Sequence, residues 1–278
     1  MPRANTDAPV PPTARSDYRE APPRAELHDL IACRWQQQIR ADHTQRVVPD
    51  GCIDLIWLAG RQLIVAGPAT GAVLAPLPAG TVTLGVRFAP GAGAALAGIP
   101  LSELRDRNVA LSELWGADAA ERLADRLAEM GEMGALGAVD AQLDLLEQAV
   151  LARRAEAASA DRLVVAAAAI AHERTRVGEL SDALGVSERQ LLRRFRAAVG
   201  YGPKTLARVL RFQRFLTAAW AEPEPMRSEH SDRRTDGDAG TLGLARIALD
   251  VGYADQAHLS RECRRLAGVS PRRLLAGG

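Results

Sequence analysis

The sequence predicts an α+β chain: an N-terminal antiparallel sheet or small barrel with helices, followed by an all-α half built of two helix-turn-helix units. Three observations predict it. Short apolar runs broken by turn residues fill residues 31–88. After Pro90 the apolar residues recur at three- and four-residue spacing. One arrangement of glycine, cap, apolar and stop positions then occurs twice, around residues 180–203 and 244–271. A period of two marks half-buried strands, and a period near 3.6 marks helices with one apolar face. At 278 residues the chain has the length of two ordinary domains.

Residues 1–16 are Pro-rich and polar without an apolar period, so they read as a disordered arm, with an α+β sensing or dimerising domain over 17–157. Strand-like runs follow in order: IACRWQQQI from Ile31, QRVV and CIDLIWL on either side of Pro49-Asp50-Gly51, RQLIVAG from Arg61, AVLAPL from Ala72 and TVTLGVRF from Thr81. Proline presets φ and glycine permits positive φ, which makes Pro49-Asp50-Gly51 a turn. The stretch GAGAALAGI reads as a short Ala-rich helix, PLSELRDR and ALSELWG as short capped helices or turns, and 117–130 and 138–157 as amphipathic helices. Residues 161–278 are helical apart from 221–240, where Pro, Gly, Ser and mixed charges describe a mobile linker.

A formal net charge of +1 conceals an asymmetry. Residues 161–278 carry 20 basic and 14 acidic side chains, a net +6, and residues 1–160 are at −5. The basic half therefore suits a polyanion, and the acidic half could fold back and compete for its arginines. The longest apolar run, Leu163–Ala171, is far below a membrane span, and the N-terminus does not read as a signal peptide, so the expected location is cytoplasmic with no membrane partner. Cys33, Cys52 and Cys263 share no close spacing and read as reduced, buried thiols.

The repeated arrangement carries the functional reading. In the first unit, 177–202, Leu180 and Leu184 stripe one helix, Gly185 turns, Ser187 caps the next, and Leu191 and Phe195 face inward. In the second, 242–275, Leu244, Ile247 and Ala248 stripe, Gly252 turns, Asp255 caps, and Leu259, Cys263 and Leu266 face inward. A helix over 203–220 joins them through the apolar seam of LARVLRFQRFL. Opposite each apolar stripe lie groups that read a DNA groove, since Arg pairs bidentately with guanine and Gln with adenine while further arginines hold phosphates. Base-edge candidates are Arg189, Gln190 and Arg193 in the first unit and Gln256, His258 and Arg261 in the second; phosphate candidates are Arg194, Arg196, Arg264 and Arg265.

With those residues in view, residues 161–278 resemble the AraC/XylS type of bacterial transcription regulator, whose C-terminal domain is two helix-turn-helix units joined by a long helix. IALDVGYADQAHLSRECRRLAGVSPRRL follows that family's second-unit motif almost residue for residue. Residues 17–116, with CRWQ, RVVPDGCIDLIW and LGVRFAPGAG, are similar to an N-terminal region found on some such regulators. The resemblance implies sequence-specific binding of double-stranded DNA in transcription regulation, an N-terminal domain that takes a small-molecule effector or forms a homodimer, and RNA polymerase as a further partner. Two departures stand out. About 20 linker residues replace the family's handful, so the two units are expected to be less rigidly coupled. Leu259 and Cys263 replace phenylalanines, so the second core is expected to be smaller.

Effector-site candidates in the first half are Trp35, Trp57 and Arg87, aromatic walls with a polar group, against which stands the reading of both tryptophans as core. His28, Cys33, His43 and Cys52 match no compact zinc spacing, so no metal is expected. No enzyme motif is present: APGAGAALAG lacks the Gly-Lys-Ser/Thr ending of a phosphate loop, and no nucleophile triad or H-E-x-x-H occurs, so neither catalysis nor a cofactor is expected. The alternative of another class is a ligand-binding or protein-interaction module that uses the helix-turn-helix units as scaffold; affinity for DNA separates the two.

Overall fold

The strand runs pair antiparallel throughout. In the computed structural model, which describes residues 15–58, 60–132, 137–156, 161–170, 176–221 and 237–276, they form β1 (Ser16–Ala21), β2 (Ile31–Ile39), β3 (His43–Val47), β4 (Ile53–Leu58), β5 (Gln62–Ala66), β6 (Val73–Leu77), β7 (Val82–Phe88) and β8 (Asn108–Ala110). Six strands make one sheet in the order β1-β2-β7-β4-β5-β8, and β3 pairs with β6 in a second, smaller sheet. The Pro49-Asp50-Gly51 turn thus leads from the small sheet into the large one.

Side-chain alternation divides the large sheet into two faces. On one, Leu55, Trp57, Leu63, Val65, Leu84, Val86 and Phe88 form an apolar core with Leu123, Leu127, Leu143, Leu146 and Val150. Those leucines come from α3 (Ala117–Glu132) and α4 (Ala138–Glu156), which cover that face together with α1 (Ala94–Ala97) and α2 (Leu111–Trp115). A register shift between Ile31 and Cys33 keeps Ile31 opposite Phe88 but turns Cys33 and Trp35 to the other face, opposite Arg87 and Gly85. The stretch PLSELRDR yields only a 3-10 turn at Leu101–Glu103, because Asp106 adopts φ 58° and stops a helix.

The second half holds α5 (Arg162–Ile170), α6 (Val177–Leu184), α7 (Glu188–Val199), α8 (Pro203–Ala221), α9 (Gly237–Asp250), α10 (Gln256–Ala267) and α11 (Pro271–Leu275). The α+β description with a sheet-containing first region and a helical second one therefore stands. Boundaries differ in detail. Residues 1–14 of the expected arm lie outside the described residues, and Ser16 already belongs to β1. Of the expected linker 221–240, residues 222–236 lie outside the described residues, while Ala221 closes α8 and Gly237 opens α9. Among the described residues no helix is long and apolar enough to cross a membrane.

α8 serves two cores in turn. Its first turns place Leu206 with Val164, Leu180, Leu191, Phe195 and Tyr201. Its second half places Phe212, Phe215 and Leu216 with Leu244, Ile247, Leu259, Cys263, Leu266 and Leu274. The second unit therefore packs on the same helix as the first. The second core is also not short of aromatic volume, because Phe212 and Phe215 supply from α8 what α10 lacks.

Candidate nucleic-acid interface

The two helix pairs are built by the same local chemistry. α6 ends at Gly185, whose φ of 64° reverses the chain, and Ser187 then caps α7 by accepting from Gln190 N at 3.3 Å. α9 ends in a turn at Gly252, φ 90°, and Asp255 caps α10 by accepting from His258 N at 2.6 Å. On α7 the buried residues are Leu191, Phe195, Ala198 and Val199; on α10 Leu259, Cys263, Leu266 and Ala267 are buried at the same relative positions. Glu262 of α10 is buried as well, and an arc on the far side of each helix faces solvent.

That arc holds most of the sequence candidates, with differences among them. Arg189, Arg193 and Arg196 are exposed and lie within one face of α7 at i, i+4 and i+7. They line an open groove of about 930 Å³ whose opposite wall is Pro100 and Ser102 of the sheet-containing region. On α10, Arg261, Arg264 and Arg265 are exposed, again three and four residues apart, with Gln256 half-buried before them.

Three candidates are engaged within the protein. Gln190 turns its Oε1 back to accept from Ser187 N at 3.1 Å and from Ser187 Oγ at 3.0 Å, completing a capping box. Arg194 donates Nε and Nη2 to Asp161, both at 2.6 Å, fastening α7 to the start of α5. That hydrogen-bonded guanidinium lowers the Asp161 carboxyl pKa. His258 lies edge-on to Tyr253 at 5.2 Å, and its Nδ1 is 3.4 Å from Ala254 N, so the Nε2 edge is the one left for a base.

Several residues that hold the interface in place carried no signal in the sequence pattern. Arg208 of α8 pairs with Glu262 of α10 at 2.9 Å, and Arg211 lies 4.8 Å over the Tyr253 ring with Nη1 donating to Gly252 O at 3.3 Å. From the sheet-containing region Arg46 Nη1 donates to Ala267 O at 2.8 Å, and Pro49 O accepts from Gln213 Nε2 of α8. Arg208 and Arg211 interrupt the apolar seam of α8 on the side facing α10, and that interruption was the one available hint.

The three effector-site candidates do not converge. Trp57 lies in the helix-covered core, 3% exposed, because it falls one residue out of phase with Asp54 and Ile56. Trp35 and Arg87 do share a face and one carboxylate: Trp35 Nε1 donates to Asp54 Oδ1 at 2.7 Å, and Arg87 Nε lies 3.2 Å from the same oxygen. Arg87 also pairs with Asp50 and Glu20, each at 3.2 Å, and Tyr18 donates to Glu20 at 2.6 Å. Three carboxylates thus surround one guanidinium, and burial raises the Asp54 pKa to about 6 against the attraction of Arg87. Burial likewise raises the thiols of Cys33, Cys52 and Cys263, the last to about 12, so none ionises near neutrality. Among the described residues no group of three or more His, Cys, Asp or Glu is arranged to hold a metal ion.

A family model described as a domain of unknown function (DUF6597) matches residues 19–110, which run from β1 to β8. No curated protein matches the chain. Two solved structures align with the chain over most of its length. ToxT from Vibrio cholerae O395 aligns at 9% identity with a TM-score of 0.45, covering 95% of this chain and 98% of that one. An apo variant of ToxT from Vibrio cholerae strain SCE256 aligns at 10% identity with a TM-score of 0.42, covering 94% and 96%.

Proposed function

We propose that this protein is a sequence-specific DNA-binding transcription regulator of the AraC/XylS type. In this reading residues 161–278 bind double-stranded DNA, and residues 17–157 adjust that binding in response to a small-molecule effector. One observation carries the reading: α7 and α10 repeat the same cap, apolar spacing and exposed arginine face, and both are anchored on the single helix α8. Two such faces on one shared helix suit the reading of two turns of a duplex. Arg189 and Arg193 of α7 and Gln256, His258 and Arg261 of α10 take base edges, Arg196, Arg264 and Arg265 take phosphates, and Arg194 serves the fold through Asp161.

The roles separate in a salt titration on a duplex that the protein selects. Arg193→Ala costs roughly 1–3 kcal/mol and relaxes preference at one base, whereas Arg264→Ala weakens all duplexes alike and flattens the log–log salt slope by about one. Arg194→Ala lowers the melting temperature and leaves the slope unchanged. Equal losses for Arg193→Ala and Arg264→Ala on selected and random duplexes contradict the division of roles.

A further inference from the structure

The face of the large sheet turned away from α3 and α4 carries an ion cluster with acceptor capacity to spare. Glu20, Asp50 and Asp54 set three negative charges against the one positive charge of Arg87. Glu20 Oε1 accepts from Tyr18 at 2.6 Å and from Arg87 Nη1 at 3.2 Å, and Asp54 Oδ1 accepts from Trp35 Nε1 at 2.7 Å and from Arg87 Nε at 3.2 Å. The second oxygens, Glu20 Oε2 and Asp54 Oδ2, accept no hydrogen bond among the described residues. The three carboxylate side chains are 14% to 23% exposed, so solvent reaches them.

Trp35 forms the floor beside them. Its ring covers Gly85 of β7, where a Cβ would stand 2.5 Å from Cε2 and Cζ2, so glycine alone leaves room for it. Thr83 lies two residues from Gly85 on the same face of β7, about 13 Å along the strand from Arg87. It is 5% exposed, and its hydroxyl has no hydrogen-bond partner among the described residues. Buried hydroxyls are normally paired, and this one points to a further polar group from outside the chain.

The small sheet lies over the same face. Gln37, opposite Thr83 on β2, donates to Gln45 of β3 at 2.6 Å. Two residues further from the β2–β3 connection stand Trp35 on the floor and Val47 on the small sheet, where Val47 is paired with Val73 of β6. Val47 shares the Gln45 side of β3, yet it is 47% exposed and Val73 45%, so the two sheets do not close on each other there. The result is a cleft with an anionic floor rich in acceptors and an apolar roof.

Such a floor repels carboxylates and phosphates and suits positively charged N–H donors, while the valine pair favours a carbon body over a hydrated ion. We propose that this cleft binds an organic cation, with a primary ammonium or guanidinium group held by Glu20 and Asp54 and an apolar body against Val47 and Val73. A polar group further along the ligand reaches Thr83. The inference rests on the effector role proposed for residues 17–157 and names the class of its ligand.

The test titrates the full chain by calorimetry with phenethylamine, 2-phenylethanol and 3-phenylpropanoate, which carry a similar apolar body and differ in charge, and then with a panel of primary amines and guanidines of about 6–12 non-hydrogen atoms. At least one amine or guanidine is expected to bind with a Kd below about 1 mM and roughly tenfold or more tightly than its alcohol and carboxylate counterparts. Glu20→Gln keeps an acceptor, removes the charge and lowers that affinity roughly tenfold. Val47→Lys sets a cation at the mouth of the cleft from an exposed position and abolishes binding; it decides alone should Glu20→Gln melt early. Equal binding of the alcohol or the carboxylate, an affinity that neither substitution alters, or a panel with no member binding below about 1 mM overturns the proposal. DNA retention measured with and without the selected compound tests the effector role separately: binding that leaves retention unchanged keeps the cation site and removes that role.

Discussion

Arg87 is surrounded by more negative charge than it can balance. Its side chain is 13% exposed, and Glu20, Asp50 and Asp54 all lie at 3.2 Å. Burial favours the protonated acid at Asp54 and raises its pKa against the attraction of Arg87, with the neighbouring Asp50 charge adding to the rise. The sign follows from linkage: below about pH 4 Asp54 is neutral in both states, and between about 4 and 6 the unfolded chain releases its proton first. This residue's contribution to stability therefore falls as pH rises through that window and stays lower above it. Asp54→Asn keeps an acceptor for Trp35 Nε1 and removes the charge. Its melting temperature is expected to exceed the parent's by a few degrees at pH 7 and to meet it near pH 4, the effect being worth on the order of 2 kcal/mol with the attraction to Arg87 already included in the raised pKa. Parallel curves for the two proteins over pH 4–7.5 contradict this account. Part of the cluster was legible in the sequence, where Trp35 and Arg87 stood out together. The grouping with Trp57 failed because the register shift at Ile31/Cys33 depends on strand pairing, which local alternation does not reveal. Arg194 shows the same limit: in sequence it differs from Arg193 by one position, and its partner Asp161 is 33 residues away.

At the level of elements, glycine turns, caps and a sustained 3.6 period announced the helix pairs, and α6, α7, α8 and α10 lie where those signals put them. Two strands escaped because they carry little pattern of their own: β1 is the polar SDYREA at a sheet edge, and β8 is three residues long. The packing of α10 was also hidden. Leu259 and Cys263 look like a weakened core until α8 contributes Phe212 and Phe215, and that contribution comes from outside the repeated motif. α8 is thus the element on which the second unit depends. Phe215→Ala is expected to cost roughly 3–5 kcal/mol and to remove hydrogen-exchange protection from α10 while β7 keeps its own. Equal loss of protection in β7 and α10, or none in either, contradicts the assignment of separate cores.

The molecule as a whole joins an acidic sheet-containing half to a basic helical half at specific points. Arg46 and Gly71 meet α10, Pro68 and Leu101 meet Gly200, and Pro49 and Gly51 meet Gln213 and Leu206 of α8. The charge difference between the halves could be read from composition. These contacts could not, because each pairs residues about a hundred positions or more apart through glycines and backbone carbonyls that carry no sequence signature. Loop Val48–Cys52 gains meaning from them: Asp50 pairs with Arg87 while its neighbours touch α8, so the ion cluster and the joining helix share one short segment. DNA reading by the helical half is checked by incubating the purified full chain with fragmented bacterial genomic DNA, raising salt to about 0.15 M and sequencing what remains bound. One recurring site is expected, lost when Arg193 and Arg261 are replaced together by alanine. No retention even at low salt, or retention of unrelated fragments that the double substitution leaves unchanged, contradicts it.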